Sequence, residues 1–198
     1  MIRADRDGAV TVLTIDRPDK ANSLTGEMLE TLGDHVLGLG PETGLLILTG
    51  AGDKVFSAGA DLEEARAGLA TSPLWERLSG AIAATPCLTV AALNGTLAGG
   101  AFGMALACDI RLAVPQASFF YPVAKLGFLP QPSDPARLAA LIGPARAKLI
   151  LAAGARLDAS EALAYGLIER IVPDPLAAAR ALAVGAPEHV AAIKAMVP

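Results

Sequence analysis

The sequence predicts an α/β fold with strands buried on both faces, and three observations carry that expectation. Short apolar runs at 10–15, 45–49, 88–93 and 110–114 alternate with loops and helical patterns over the first two thirds of the chain. The runs are apolar at nearly every position, as strands covered from both sides are, rather than alternating as strands with one wet face do. The 198 residues are 53% hydrophobic and 18% charged, which suits one domain with a real core and lies far from a disordered composition.

In chain order, VTVLTI at 10–15 is a β-branched run bounded by Gly8 and by Asp16-Arg17-Pro18, a strand and then a turn. Ser23 or Thr25 caps a helix that carries Met28, Leu29, Leu32 and Val36 at helical spacing. LLILT at 45–49 is a second strand, broken by Gly50-Ala51-Gly52-Asp53, and small residues then run to Leu62 before an acidic helix start. Residues 88–93 form a third strand ending at Asn94-Gly95, 95–100 a loop, and 101–108 a helix. Residues 110–114 and 118–121 read as extended. From 136 to 198 the pattern is helical, as part of one domain spanning 1–198.

Composition also excludes function classes. The net charge is −4 with Lys and Arg scattered, which argues against a nucleic-acid footprint. Cys87 and Cys108 have no metal spacing and His35 and His189 lie far apart, so no metal site is expected and both thiols read as buried. MIRADRDGAV carries charges where a signal peptide needs an apolar run, which predicts a cytoplasmic protein. The uncharged run 81–108 has the length of a membrane span, but Pro86, Asn94 and four glycines interrupt it. A strand, a loop and a buried helix fit it better, and no membrane partner is expected.

Two phosphate-loop readings fail. After Gly50-Ala51-Gly52, the third glycine of a dinucleotide loop would fall at Val55. Gly95 and Gly100 have P-loop spacing, yet Ala101 and Phe102 stand where Lys and Ser or Thr are needed. A third reading uses two loops at once. An N–H at Gly100, opening the 101–108 helix, and one from Ala58-Gly59-Ala60 would together form an oxyanion hole.

Five ordered motif groups then carry a family resemblance. They are Asp16-Arg17-Pro18 with Asn22-Ser23-Leu24; LTGAGDKVFSAGADL; TPCLTVAALNG with AGG and ACDIRLA; KLGFLP; and ARLAALIGPARAKLILAAGARLDASEALAYGLIERIVP. On these the chain resembles the enoyl-CoA hydratase/isomerase (crotonase) superfamily. The resemblance implies a ClpP-like fold of repeated ββα units, here shortened at the C-terminus and lacking the usual last helices. It implies trimers or trimer pairs, no cofactor beyond the coenzyme A of the substrate, and a thioester carbonyl held between the N–H groups of Ala60 and Gly100. Lys20, Ala21, Asn22 and Leu24, with Ala58, Ala60, Asp61 and Leu62, are implied as coenzyme A contacts.

The same comparison exposes a gap. The two glutamates of a hydratase fall at Gly103 and Val123, neither of which can move a proton. No acid occurs between Asp109 and Asp134, and along a straight helix Asp109 lies about 13 Å from Gly100, too far to substitute. Gln131 remains to orient a substrate or water, Tyr121 to donate a hydrogen bond, and Asp134 and Asp61 are the nearest carboxylates, with the orientation of Asp134 open and Asp61 read as serving its loop. The expectation is isomerase, decarboxylase or other enolate chemistry, with a non-catalytic acyl-CoA binder as the alternative and hydration ranked last.

Overall fold

The computed structural model describes residues 1–197. The strands are β1 Ile2–Asp7, β2 Val10–Ile15, β3 Leu45–Gly50, β4 Val55–Ser57, β5 Leu88–Leu93, β6 Thr96–Ala98, β7 Ile110–Ala113, β8 Ser118–Phe120, β9 Arg156–Asp158 and β10 Arg170–Ile171. The helices are α1 Gly26–Leu37, α2 Leu62–Arg66, α3 Leu74–Ala84, α4 Phe102–Ala107, α5 Val123–Leu126, α6 Asp134–Ile142, α7 Pro144–Leu151, α8 Ala159–Tyr165, α9 Pro175–Arg180 and α10 Pro187–Met196.

The strands form two sheets, ordered β1-β2-β3-β5-β7-β10 and β4-β6-β8-β9. Among the described residues, only the β1–β2 and β8–β9 pairs are antiparallel. Three times in succession the chain lays one strand in the large sheet, the next in the small sheet, and then turns into helix: β3-β4-α2, β5-β6-α4 and β7-β8-α5. These are the expected ββα units. Each repetition moves one strand further along both sheets, so β4, β6 and β8 become parallel neighbours and their carboxyl ends lie side by side.

The large sheet is buried on both faces, as expected. Leu13, Ile15, Leu46, Leu48, Ala91 and Leu93 pack on one side with α1, α3 and α4, while Val12, Leu45, Ile47, Val90, Ala92 and Leu112 pack on the other with Ala179 of α9. Alternation thus divides two apolar sets between two cores. Thr25 caps α1 by accepting a hydrogen bond from the Met28 N–H, and Met28, Leu29, Leu32 and Val36 are all buried, as their spacing requires.

Three expectations need correction. Residues 95–100 are not simply a loop, because Thr96–Ala98 pairs with β4 and β8. The 101–108 helix is entered through a 3-10 turn, Gly99–Ala101. Residues 136–198 are not wholly helical: β9 closes the small sheet and β10 adds to the large one beside β7. Among the described residues, no helix is long and apolar enough to cross a membrane. The uncharged run 81–108 divides into the end of α3, then β5, β6 and α4.

Leu46 is fully buried at the centre of the large sheet. Leu46→Ala is expected to lower unfolding free energy by about 2–5 kcal/mol in a denaturant titration, and a loss under about 1 kcal/mol would contradict close packing there.

Candidate functional site

The side-by-side ends of β4, β6 and β8 open onto a pocket of about 150 Å³. Ala58, Ala60 and Leu62 follow β4, Gly99 and Gly100 follow β6, and Tyr121, Pro122 and Val123 follow β8; all line it, with Trp75 and Gln131. The carboxyl ends of parallel strands are where α/β sheets bind ligands, and here the small sheet sets the position.

Two glycine loops touch through their backbones at the edge of this pocket. A Cβ added to Gly59 would lie 3.0 Å from the Ala98 carbonyl oxygen and 3.2 Å from the Gly100 nitrogen. Gly59 and Gly99 also have φ of +92° and +58°, the left-handed region that other residues rarely enter. A side chain at Gly59 would press the two loops apart by a few tenths of an ångström, and at Gly99 it would strain the backbone.

Orientation of the Ala60 N–H follows from its neighbours. The Leu24 N–H donates to the Gly59 carbonyl at 2.8 Å, and the Asp61 N–H donates to the Leu24 carbonyl at 2.8 Å. In a parallel bridge of this kind the residue between the two bonds turns its own N–H and C=O away from the partner, so Ala60 directs its N–H away from Leu24. Gly100 stands in the first turn of the helical segment that continues as α4, where N–H groups have no partner within the helix. The face of Gly100 lies against the Trp75 ring, which a Cβ would meet at 3.2 Å.

The 20–24 segment lies against the same loop. The Ala58 N–H donates to Ala21 O at 3.1 Å and the Ser57 hydroxyl to Asn22 O at 2.8 Å. The Asn22 side chain is committed to the fold: it accepts from Arg17 N–H and donates to the Ala51 and Val55 carbonyls. Asp61 caps α2 through the N–H groups of Glu63 and Glu64 and pairs with Arg17 at 2.8 Å. The Arg17 guanidinium holds the Asp61 carboxyl below the usual carboxylate range. Lys20 is exposed at the end of a 3-10 turn. Leu62 is 74% exposed and, with Leu126 and Leu129, gives the pocket an apolar mouth.

The two positions to which the resemblance assigns glutamates differ. Val123 lines the pocket with an apolar side chain, whereas Gly103 is buried in α4 and faces α6. Gln131 is buried and its Nε2 donates to the Ala70 carbonyl at 3.0 Å. Asp109 is structural, accepting from the Thr89 N–H and hydroxyl and pairing with Lys194 at 2.7 Å. Both cysteines are buried and free, and burial pushes the thiols up to about 11 at Cys87 and about 12 at Cys108. Among the described residues, no group of three His, Cys, Asp or Glu is arranged to hold a metal.

Asp134, whose orientation the sequence left open, turns inward and is fully buried. Its Oδ2 accepts a hydrogen bond from the Tyr121 hydroxyl at 2.9 Å, while Oδ1 has no partner among the described residues. Burial raises its pKa to about 6, and the charge of Glu76 acts in the same direction. Burial, then the Asp134 charge, push the Tyr121 phenol up as well. Tyr121 also stacks on Phe102, ring centroids 5.3 Å apart, so core packing and hydrogen bonding coexist in one residue. Trp75 is not legible as a site residue in the sequence, because its place against Gly100 is a tertiary contact that no local spacing announces.

Two outcomes are expected. Gly59→Ala forces a strained φ and a backbone clash, and should cost about 1–3 kcal/mol of stability by thermal or chemical denaturation. An unchanged stability would mean that the loops do not meet as described. For Asp134, a folded-state pKa raised from 3.8 to about 6 favours the fold below the lower value, and that contribution is lost as pH rises through the upper one. Measured against wild type, Asp134→Asn should therefore gain roughly 2–3 kcal/mol in relative stability between about pH 4 and pH 7.5. A difference independent of pH would show that the carboxyl is not held in a dry site.

Comparisons with known proteins bear on the fold and the family. The enoyl-CoA hydratase/isomerase family model matches residues 5–197. A carnitinyl-CoA dehydratase of Citrobacter koseri is 38% identical over 175 residues, which cover 84% of this chain and 66% of the relative. A solved structure of enoyl-CoA hydratase from Bacillus anthracis superposes with a TM-score of 0.90 at 34% identity, covering 99% of this chain and 81% of that one. Pseudomonas aeruginosa DspI also gives a TM-score of 0.90, at 32% identity, with 99% and 85% coverage. Over almost its whole length, in motif order and in the ββα architecture that places two glycine loops at one pocket, the chain belongs to the enoyl-CoA hydratase/isomerase family.

Proposed function

We propose that the protein binds acyl-CoA thioesters and stabilises negative charge on the thioester oxygen with the N–H groups of Ala60 and Gly100. The observation that carries this reading is the backbone contact between their two loops beside an apolar pocket. Charge that develops on one oxygen during enolate formation is lowered in energy by two donors already fixed in place, and each such donor contributes about 2.7–4 kcal/mol in sites of this type. Lys20 and Ala21, with Ala58, Asp61 and Leu62, are accessible beside the same loop and are the proposed coenzyme A contacts, whereas Asn22 and Leu24, 1% and 0% exposed, hold that loop from behind; the apolar mouth suits an acyl chain. Gln131 is proposed to orient the substrate or a water. No cofactor is called for, and assembly into trimers or trimer pairs belongs to the same reading.

The reaction proposed is isomerase, decarboxylase or related enolate chemistry. The names of the relatives speak for adding or removing water. Against that reading, Gly103 and Val123 stand at both glutamate positions and leave no pair of carboxylates to activate a water across a double bond. The same two residues favour a second reading, an acyl-CoA binder without turnover.

Calorimetry with a panel of acyl-CoAs, followed by hydration and isomerisation assays, tests these readings. Wild-type protein is expected to bind acyl-CoA, and Gly100→Pro, which removes one N–H donor, to lose about 100-fold or more in turnover or a matching share of binding. No binding at millimolar ligand would overturn the proposal. Binding without any turnover would leave the binder, and hydration of crotonyl-CoA at ordinary enzyme rates would show that water chemistry proceeds without the two glutamates.

A further inference from the structure

Enolate chemistry needs a group that accepts and returns a proton, and neither Gly103 nor Val123 supplies one. Yet a carboxylate occupies the space that a side chain at 103 would enter. A Cβ on Gly103 would lie 3.0 Å from Asp134 Oδ1 and 3.5 Å from Oδ2. Asp134 starts α6, which packs against α4, and its side chain faces Gly103 from across that contact.

The position is costly for a merely structural residue. Asp134 is 0% exposed, caps no helix and forms no ion pair among the described residues, and one of its oxygens is without a partner. Isolated buried carboxylates are expensive, and an unsatisfied buried polar atom in a folded protein calls for an explanation. Its one hydrogen bond leads to the pocket: Tyr121 donates to Oδ2, the Gln131 N–H donates to the same phenol oxygen at 3.4 Å, and both residues line the cavity.

We propose that Asp134, acting through the Tyr121 hydroxyl, holds the proton of this site, so that the carboxylate absent from the α4 face at 103 is supplied by the facing helix α6. The inference rests on the enolate reading above. In the step, the substrate Cα–H bond breaks and its electron pair passes into the thioester, leaving the charge on the oxygen between Ala60 and Gly100. The Cα proton goes to the Tyr121 oxygen as the phenol proton passes to Asp134 Oδ2, giving a neutral acid; reprotonation reverses each transfer. A carboxyl raised to about 6 is matched to such a role near neutral pH. The charged groups bearing on it are Glu76 from α3, whose carboxylate accepts from the Ser133 N–H and hydroxyl, and Arg137 from its own helix; α4 presents none.

The test is exchange of the α-protons of butyryl-CoA in D₂O, followed by NMR across about pH 5 to 8, with calorimetric binding measured alongside. Wild type should exchange with a rate that rises through an inflection near the raised carboxyl pKa and then levels. Asp134→Asn and Tyr121→Phe should each lose about 100-fold or more in exchange, with the inflection gone and butyryl-CoA binding within a few-fold of wild type. The paired change Gly103→Glu with Asp134→Gly, which moves the carboxylate back across the contact, should recover exchange. Retention of both rate and inflection in Asp134→Asn would overturn the proposal, and if that variant does not fold, Tyr121→Phe, which keeps the ring on Phe102, decides in the same way. Wild type that binds but exchanges nothing would also overturn it while leaving thioester binding intact, whereas absence of binding would overturn the functional reading beneath it.

Discussion

The contact that the site depends on is backbone against backbone. A Cβ on Gly59 would stand only 3.0–3.3 Å from backbone atoms of Ala98, Gly99 and Gly100, and two left-handed glycines let the chain make that approach. The N–H groups on either side are then set by the fold, Ala60 by its bridge to Leu24 and Gly100 by its place in a first helical turn. No side chain has to be ordered to make the donors. Proposed donors of this kind therefore lose no rotamer entropy when a ligand arrives.

Behind that contact lies the repeating path of the chain. Each ββα unit places its second strand in the small sheet beside the one before, so loops separated by some forty residues in sequence emerge as neighbours. The double burial of the large sheet fixes the register of its strands, because a slip of one residue would exchange the Leu46 and Leu48 side with the Leu45 and Ile47 side. Arg17 and Asn22 tie the incoming 20–24 segment to this frame through Asp61 and the Ala51 and Val55 carbonyls. Sheet, loops and the proposed thioester cradle are one mechanical unit.

Much of this was legible in the sequence, and the exceptions have physical causes. The strands at 10–15 and 88–93 and a cap at Ser23 or Thr25, of which the structure uses Thr25, are legible because burial and capping leave local signatures. The approach of the two glycine loops was also readable, because small residues follow both apolar strands and leave the backbones free to meet. β4 and β6 escaped notice because strands of three residues carry no period and owe their existence to partners far along the chain. β1 escaped because IRADRD is exposed along almost its entire length and shows no apolar face. The inward turn of Asp134 was unreadable for a different reason: charged residues are normally solvated, and only the space left by Gly103 across the helix contact makes its burial understandable.

A glycine at 103 and an aspartate at 134 therefore describe one feature of the packing between α4 and α6, and the acid-free appearance of the pocket in sequence is a property of its wall rather than of its surroundings. The central claim remains the pair of donors on the thioester oxygen. It is tested most directly by carbon NMR of an acyl-CoA labelled at the thioester carbonyl. Two preorganised donors predict a shift of the bound carbonyl to higher frequency, reduced in Gly100→Pro; a bound carbonyl at its free position would contradict the account.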